Sequence, residues 1–179
     1  MKFVNKAAFL DRDGVINHDY GYVGKIEDFV FMPKVILGLR IIQELGFKLI
    51  IITNQSGIGR GLYSLNDFNL LTKHMINVLN NNRIYLTEVM YCPHIPEENC
   101  ACRKPKTGMI RLATKKHNID LSKSFLVGDK HTDILAGKNA NIKKCFQITK
   151  LKKKIKTNLF DDNFNSLYDV AIKINDYSL

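Results

Sequence analysis

Short apolar runs alternate with amphipathic segments along this chain from residue 7 to about residue 148. Residues 47–52 are almost entirely apolar, which is typical of a strand covered on both faces of a parallel sheet. Four other segments have the length and composition of strands, and we expect the last of them to be the final strand. They are Ala7–Leu10, residues 86–91, residues 124–127 and Lys144–Ile148.

Helical periodicity fills the intervals between these runs. Val35, Leu39 and Ile42 recur at helical spacing within residues 34–45, and a glycine follows as a stop signal. A second helix is predicted to begin at Ser64, because an acid stands three residues later in the pattern of a capping box. The remaining predicted helices cover residues 107–117, 133–139 and 164–174.

Alternating strands and helices predict an α/β fold with a doubly wound parallel sheet. A chain of 179 residues is long enough for one full core, and we expect residues 1–179 to form a single domain. Residues 14–33 and 92–106 are the long connections, and neither is long enough for a large cap domain.

The basic composition at first suggests a nucleic-acid partner, since the formal net charge is +10. Removing seven clustered lysines would leave +3, and one aromatic residue, Phe146, interrupts that cluster. A binding platform for single strands needs several aromatic residues, so we expect a solvated face and no nucleic-acid partner. The seven are Lys143, Lys144, Lys150, Lys152, Lys153, Lys154 and Lys156.

The apolar runs are much shorter than a membrane span, which takes about 20 residues. Residues 1–6 lack the apolar stretch of a secretory signal. From these features we expect a cytoplasmic protein without a membrane partner, and we expect it to be a monomer.

Polar side chains gather where the predicted strands end. Because the carboxyl ends of parallel strands share one edge of a sheet, four clusters should meet there. They are Asp11 and Asp13, Thr53 and Asn54, Arg103 and Lys104, and the group Gly128, Asp129, Lys130 and Asp133.

The chemistry of these residues fits phosphoryl transfer. Carboxylates of Asp11 and Asp129, with the backbone carbonyl of Asp13, offer hard oxygen ligands to Mg²⁺. Asp11 can act as the nucleophile and Asp13 as the acid and base. The Thr53 hydroxyl and the Lys104 ammonium can stabilise charge on the transferred group.

A second constellation lies in the connection after residue 91. Cys92, His94, Cys100 and Cys102 supply three thiols and one imidazole within eleven residues. This set suits a closed tetrahedral zinc site, and four protein ligands leave no position for chemistry. We therefore predict a structural zinc that fixes the loop before Arg103, whereas Cys145 lies in a predicted strand as a core thiol.

The four clusters in this order resemble the haloacid-dehalogenase-like phosphohydrolases. The resemblance runs from residue 7 to about residue 148 and rests on Asp-x-Asp-Gly, then Thr, then Lys, then Gly-Asp-x-x-x-Asp. It implies that family's parallel α/β fold and an aspartyl-phosphate intermediate on Asp11. Val15 departs from the family pattern, in which many members have threonine.

Within that family, the cysteine loop with Arg103 and Lys104 resembles two groups, the heptose 1,7-bisphosphate 7-phosphatases and the histidinol-phosphatase domains. The heptose group is favoured by residues 19–23 and 53–61. The resemblance implies a Mg²⁺-dependent sugar bisphosphate phosphatase of surface-glycan synthesis. Its implied substrate contacts are Asp19, Tyr20, Gly21, Tyr22, Thr53, Asn54, Gln55, Ser56, Arg103, Lys104 and Lys130.

Two alternatives stay open. The short spacer between His94 and Cys100 is similar to that of the histidinol-phosphatase group, which would make the substrate a monophosphate. Against this, Arg103 could hold the second phosphate of a bisphosphate through two parallel hydrogen bonds. A zinc-bearing nucleic-acid module is a distant alternative, because it leaves the acidic clusters without a role.

Overall fold

A computed structural model describes residues 4–149 and 160–176. Its strands are β1 Ala7–Leu10, β2 Lys48–Asn54, β3 Leu86–Cys92, β4 Phe125–Gly128, β5 Lys144–Ile148 and β6 Asp162–Phe164. Its α-helices are α1 Val35–Glu44, α2 Ser56–Gly59, α3 Leu65–Asn81, α4 Gly108–His117, α5 His131–Asn139 and α6 Leu167–Asp176. Five lysines of the basic cluster, Lys150, Lys152, Lys153, Lys154 and Lys156, lie outside the described residues.

The six strands form one sheet in the order β3-β2-β1-β4-β5-β6, and every neighbouring pair is parallel. The doubly wound α/β prediction is therefore confirmed. β1 pairs with β2 on one side and with β4 on the other, so the strand order reverses there. Ligands of such sheets bind beyond the carboxyl ends at this switch point.

Side chains along each strand alternate between two hydrophobic layers. Leu10 of β1 faces the layer that α1, α3 and α6 cover, whereas Phe9 faces the layer that α4 and α5 cover. Both residues are completely buried. The central strands are covered on both faces, which explains why their sequences read as continuous apolar runs.

The structure differs from the sequence prediction at several places: α2 was not predicted, and α5 begins at His131 instead of residue 133. β5 is not the final strand, because β6 pairs beside it. Phe164 ends β6 instead of beginning the last helix, which starts at Leu167. Thr53 and Asn54 end β2, as predicted, and the pairing with β3 continues through both residues.

Local signals explain the helix ends that were predicted correctly. The Ser64 hydroxyl accepts a hydrogen bond from the Asp67 amide, and the Asp67 carboxylate accepts one from the Ser64 amide, which completes the capping box of α3. Cys145 is fully buried in β5, as predicted. Among the described residues, no helix combines the length and the apolar character needed to cross a bilayer.

Candidate active site

The carboxyl ends of β1, β2 and β4 bring the predicted clusters together, with Lys104 from the connection after β3. The Lys104 side chain is 2% exposed, and its Nζ lies 2.8 Å from Asp11 Oδ1 and 2.7 Å from Asp133 Oδ1. The same Nζ donates to the carbonyl of Ile52 at 2.7 Å. One buried ammonium therefore joins three elements of the sheet edge.

The electrostatics of this contact follow from burial. Burial, and then the neighbouring Asp133 carboxylate, raise the pKa of Asp11 to about 7, although Lys104 opposes them. Burial alone would lower the pKa of Lys104, but Asp11 and Asp133 outweigh it and raise that pKa. The pair is therefore ionised most completely at mildly alkaline pH, above the pKa of Asp11.

The Asp13 carboxylate accepts hydrogen bonds from three side chains. The Arg12 guanidinium contacts both of its carboxylate oxygens at 3.0–3.2 Å. Asn17 Nδ2 donates to Oδ1 at 2.9 Å, and Gln55 Nε2 donates to Oδ2 at 2.8 Å. The Arg12 side chain is completely buried, so this ion pair is shielded from bulk water on one side.

Asp129 completes a group of acidic side chains. Ligand oxygens of Asp11, Asp129 and Asp133 lie within 4.8 Å of one another, an arrangement that could hold a metal ion. Asp133 is already committed, because it contacts Lys104 and accepts a hydrogen bond from the Lys130 amide. Asp129 Oδ1 is buried and has no hydrogen-bond partner among the described residues. Burial, and then Asp133, raise the pKa of Asp129 to about 6, and a cation would relieve that cost.

A cavity of about 560 Å³ lies at this edge of the sheet. Asp13, Arg103 and Lys104 line it, as do Asn54, Gln55 and Ser56 at the end of β2. Asp19, Gly21, Tyr22 and Lys130 line it as well, so most of the predicted substrate contacts share one cavity. Tyr20 lies apart from them, in a second cavity of about 500 Å³ with Gly14 and Asp129.

The two cavities meet at an ion pair across the sheet edge. Lys130 Nζ lies 2.8 Å from Asp19 Oδ2, and Asp19 lines both cavities. Burial would lower the pKa of Lys130, but the contact with Asp19 raises it. Each of these residues was predicted from the sequence, whereas their contact across 111 positions was not.

The four predicted zinc ligands also converge. The thiols of Cys92, Cys100 and Cys102 and the Nδ1 of His94 lie 3.3–3.5 Å from their neighbours in the group. Four ligands about 2.3 Å from a zinc ion would be separated by about 3.7 Å, so the group has the size of a tetrahedral metal site. The Arg103 guanidinium donates to the carbonyl of His94 at 3.2 Å, which connects this group to the cavity wall.

Sequence reasoning gave no role to two participants of the site. These are Arg12 and Tyr63, which form a buried network beside Asp13 together with Gln55, a residue predicted as a substrate contact. A fully buried arginine has no local sequence signal, because arginine is normally exposed. Asp133 had a signal in Gly-Asp-x-x-x-Asp, and the structure adds its contact with Lys104.

Comparisons with known proteins agree with this geometry. Residues 7–174 match the sequence profile of the polynucleotide kinase 3 phosphatase family. The chain is 48% identical over 150 residues to a D-glycero-alpha-D-manno-heptose-1,7-bisphosphate 7-phosphatase of Photorhabdus laumondii, covering 80% of this chain and 82% of the relative. It is 50% identical over 146 residues to the beta-named enzyme of Helicobacter pylori strain J99, covering 81% and 84%.

A solved structure of D,D-heptose 1,7-bisphosphate phosphatase from B. bronchiseptica, complexed with magnesium and phosphate, has the same fold. Its TM-score is 0.83 at 24% identity, covering 96% of this chain and 98% of that one. The fold, the clustered site and the identity to curated relatives agree. The chain therefore belongs to the family of heptose 1,7-bisphosphate 7-phosphatases, among the haloacid-dehalogenase-like phosphatases.

Proposed function

We propose that this protein is a Mg²⁺-dependent phosphatase that removes the 7-phosphate of D-glycero-D-manno-heptose 1,7-bisphosphate. The observation that carries the proposal is Asp11, a buried carboxylate held 2.8 Å from Lys104 beside a cavity of about 560 Å³. The identity of the sugar is inferred from the names of the curated relatives, and the type of reaction is inferred from the residues of the site.

In the first step, a carboxylate oxygen of Asp11 attacks phosphorus and forms an aspartyl-phosphate. The bond between phosphorus and the C7 oxygen breaks, and that oxygen keeps the electron pair and takes a proton from Asp13. In the second step, water attacks the same phosphorus and gives a proton to Asp13. The bond to Asp11 then breaks, which releases orthophosphate and restores the carboxylate.

Fixed donors stabilise charge on the transferred phosphoryl group. Lys104 is one of them, because its buried ammonium already lies against Asp11. The Thr53 hydroxyl is the second: its oxygen accepts a hydrogen bond from Gln55 at 2.8 Å, so its own hydrogen is available to a phosphate oxygen. The Thr53 hydroxyl needs no reorganisation, whereas Lys104, whose three N–H groups contact Asp11, Asp133 and Ile52, would pass the one on Asp11 to the phosphoryl group.

The cluster of Asp11, Asp129 and Asp133 has the oxygen ligands that a Mg²⁺ site needs. Asp11 and Asp129 would hold Mg²⁺, with the backbone carbonyl of Asp13 as a further ligand, and the unpartnered Asp129 oxygen supports this assignment. Mg²⁺ supplies positive charge that offsets the negative charge of the phosphate and of the carboxylates.

The cysteine and histidine group fits zinc, and four protein ligands make it a structural site. Its role would be to fix the loop between Cys92 and Cys102. Arg103 follows directly and donates to the backbone of His94, so the metal would set the position of that guanidinium.

The charges around the cavity favour a bisphosphate over a monophosphate substrate. Lys104 is paired with two carboxylates and Lys130 with Asp19. Among the described residues that line the cavity, Arg103 is the cation without a carboxylate partner. A guanidinium in this position can bind the phosphate that does not react. Asp19, Gly21, Tyr22, Asn54, Ser56 and Lys130 would contact the sugar or its phosphates; Tyr20 would reach them from the second cavity.

We further propose a cytoplasmic, monomeric enzyme of nucleotide-heptose synthesis for surface glycans, folded as one domain over residues 1–179. A reducing compartment would keep Cys92, Cys100 and Cys102 as thiolate ligands. Light scattering of the purified protein tests the oligomeric state, for which a dimer mass would contradict the proposal.

The test of function is phosphate release from both anomers of the bisphosphate with Mg²⁺ present. We expect turnover by the wild type, a product that keeps its C1 phosphate by ³¹P NMR, and loss of turnover in Asp11→Asn. Substantial activity of Asp11→Asn would refute Asp11 as the nucleophile. Loss of the C1 phosphate instead would refute the proposed position of attack.

A further inference from the structure

Gln55 lies at the centre of the hydrogen bonds that surround Asp13. It follows directly after β2, and the residue is 2% exposed. Its Nε2 donates to Asp13 Oδ2 at 2.8 Å and to Thr53 Oγ1 at 2.8 Å. One amide therefore contacts both the proposed acid and base and one proposed phosphate donor.

The orientation of this amide is fixed from its other end. Gln55 Oε1 accepts hydrogen bonds from the Tyr63 hydroxyl at 2.5 Å and from the Arg12 guanidinium at 3.2 Å. Turning the amide over would place its NH₂ group against the Arg12 donors and its oxygen against the Asp13 carboxylate. Both exchanges are unfavourable, so the network admits a single orientation.

Tyr63 is itself held tightly. A Cβ atom added at Gly24 or at Gly57 would overlap its ring, so the ring is packed between two backbone segments. Tyr63 is 8% exposed, and its hydroxyl reaches Gln55 across eight positions of sequence. The ring cannot turn away from the amide without a backbone shift.

The hydrogen-bonding capacity of Gln55 is fully used by the protein. A glutamine amide has two N–H donors and a carbonyl oxygen with two lone pairs, and here all four have partners. A substrate atom could bind this side chain only by replacing one of them. Gln55 therefore lines the cavity without a free hydrogen-bonding group for the substrate.

We infer that Gln55 is a positioning residue, which holds the Asp13 carboxylate and the Thr53 hydroxyl in the arrangement that the reaction needs and does not bind the substrate itself. This inference rests on the proposed function and deepens it. By taking a lone pair of Thr53 Oγ1, Gln55 leaves the hydroxyl hydrogen for the phosphoryl group. By donating to Asp13 Oδ2, it holds that oxygen in place, and the orientation of the whole carboxylate, including Oδ1, is then fixed.

Gln55→Met is the first test, because methionine keeps the length of the side chain and removes all four hydrogen bonds. We expect kcat for the heptose bisphosphate to fall about ten- to a hundredfold, the usual effect of losing a charge-assisted hydrogen bond and of displacing a reacting group. Binding should not change: in the Asp11→Asn background, calorimetry should give the same dissociation constant within about twofold with and without Gln55→Met.

The leaving group separates positioning from general disturbance. An alkoxide needs a proton from Asp13, whereas para-nitrophenolate leaves without one. We expect Gln55→Met to reduce kcat/KM for the sugar bisphosphate more than for para-nitrophenyl phosphate. Equal losses for the two substrates would indicate a disturbed fold and would overturn the inference.

Gln43→Met is the matched control. The Gln43 side chain, unlike that of Gln55, bonds to backbone groups: it donates to the Arg83 carbonyl and accepts from the Tyr85 amide. It lies on α1 before β2, at the opposite edge of the sheet. Its kinetics should equal those of the wild type. Tyr63→Phe is the second variant in case Gln55→Met does not fold, and it should lower kcat several-fold without affecting the dissociation constant; Tyr85→Phe, an exposed tyrosine, is its control.

The outcomes distinguish this inference from the proposed function. A wild type that does not hydrolyse the bisphosphate refutes the function. An active wild type with unchanged kcat in Gln55→Met overturns the inference alone. A dissociation constant more than about tenfold weaker in the double variant would make Gln55 a substrate contact and would also overturn it.

Discussion

Lys104→Met should reveal how strongly the site depends on one buried cation. The ammonium lies within 2.8 Å of Asp11 and 2.7 Å of Asp133, with its side chain 2% exposed. Methionine keeps the length and removes the charge, which leaves two carboxylates and the Ile52 carbonyl without this donor. Breaking a buried ion pair by removing one partner costs about 3–5 kcal/mol of stability.

The stability lost in Lys104→Met should depend on pH, and the ionisation of Asp11 decides whether the loss grows or shrinks as pH rises. Burial, and then Asp133, raise the pKa of Asp11 to about 7 even with Lys104 present, and removing the cation raises that pKa further. A carboxyl group with a raised pKa in the folded state stabilises the fold while it is protonated, and this stability is lost as pH rises through the folded pKa. The deficit of the variant should therefore be small near about pH 5 and complete near about pH 8.5.

Urea unfolding at both pH values measures this deficit, with the zinc content of each sample checked. The control is Lys116→Met, since Lys116 pairs with Glu88 at 2.6 Å but is 57% exposed and should cost less than about 1 kcal/mol. We also expect kcat of Lys104→Met to fall about 10²–10³-fold. Stability within about 1 kcal/mol of the wild type near pH 8.5 would refute the reasoning.

Three further predictions concern substrate, zinc and magnesium. Arg103→Met should raise KM for the bisphosphate about 10–150-fold and leave KM for heptose 7-phosphate unchanged, and equal effects on both would contradict a role in binding the second phosphate. Cys102→Ser should reduce zinc measured by mass spectrometry and speed proteolysis between residues 92 and 105; an unchanged metal content would show that the site is read wrongly. Burial raises the pKa of Asp11 to about 7 and that of Asp129 to about 6, so activity should fall as pH drops through this range. Higher Mg²⁺ concentrations should move that fall to lower pH, and a profile independent of Mg²⁺ would argue against both ligands.

The fold was predictable because the central strands are buried on both faces. Residues 47–52 had to be apolar throughout, and this pattern predicted β2 directly. β6 lacks such a signal, since Asp162 and Asn163 make up two of its three residues and the strand depends on pairing with β5. α2 is four residues long and contains two glycines, so neither propensity nor periodicity could predict it.

The catalytic candidates were predictable because strand ends place them at one edge. The sequence patterns after β1 and β4 were enough to predict that Asp11 and Asp129 lie close to each other. The partners of these residues were not predictable, since Gln55 meets Asp13 across 42 positions and no local pattern encodes that contact. The saturation of the Gln55 amide, which separates positioning from substrate binding, is visible only once the fold is known.

The central claim is tested most directly by comparing kcat/KM for heptose 1,7-bisphosphate with kcat/KM for histidinol phosphate on the same wild-type preparation with Mg²⁺. Because the Arg103 guanidinium has no carboxylate partner in the described part of the chain and can bind a second phosphate, we expect kcat/KM to be at least about tenfold higher for the bisphosphate. A preference for histidinol phosphate would contradict the account of the substrate, and no phosphate release from either compound would contradict the account of the site.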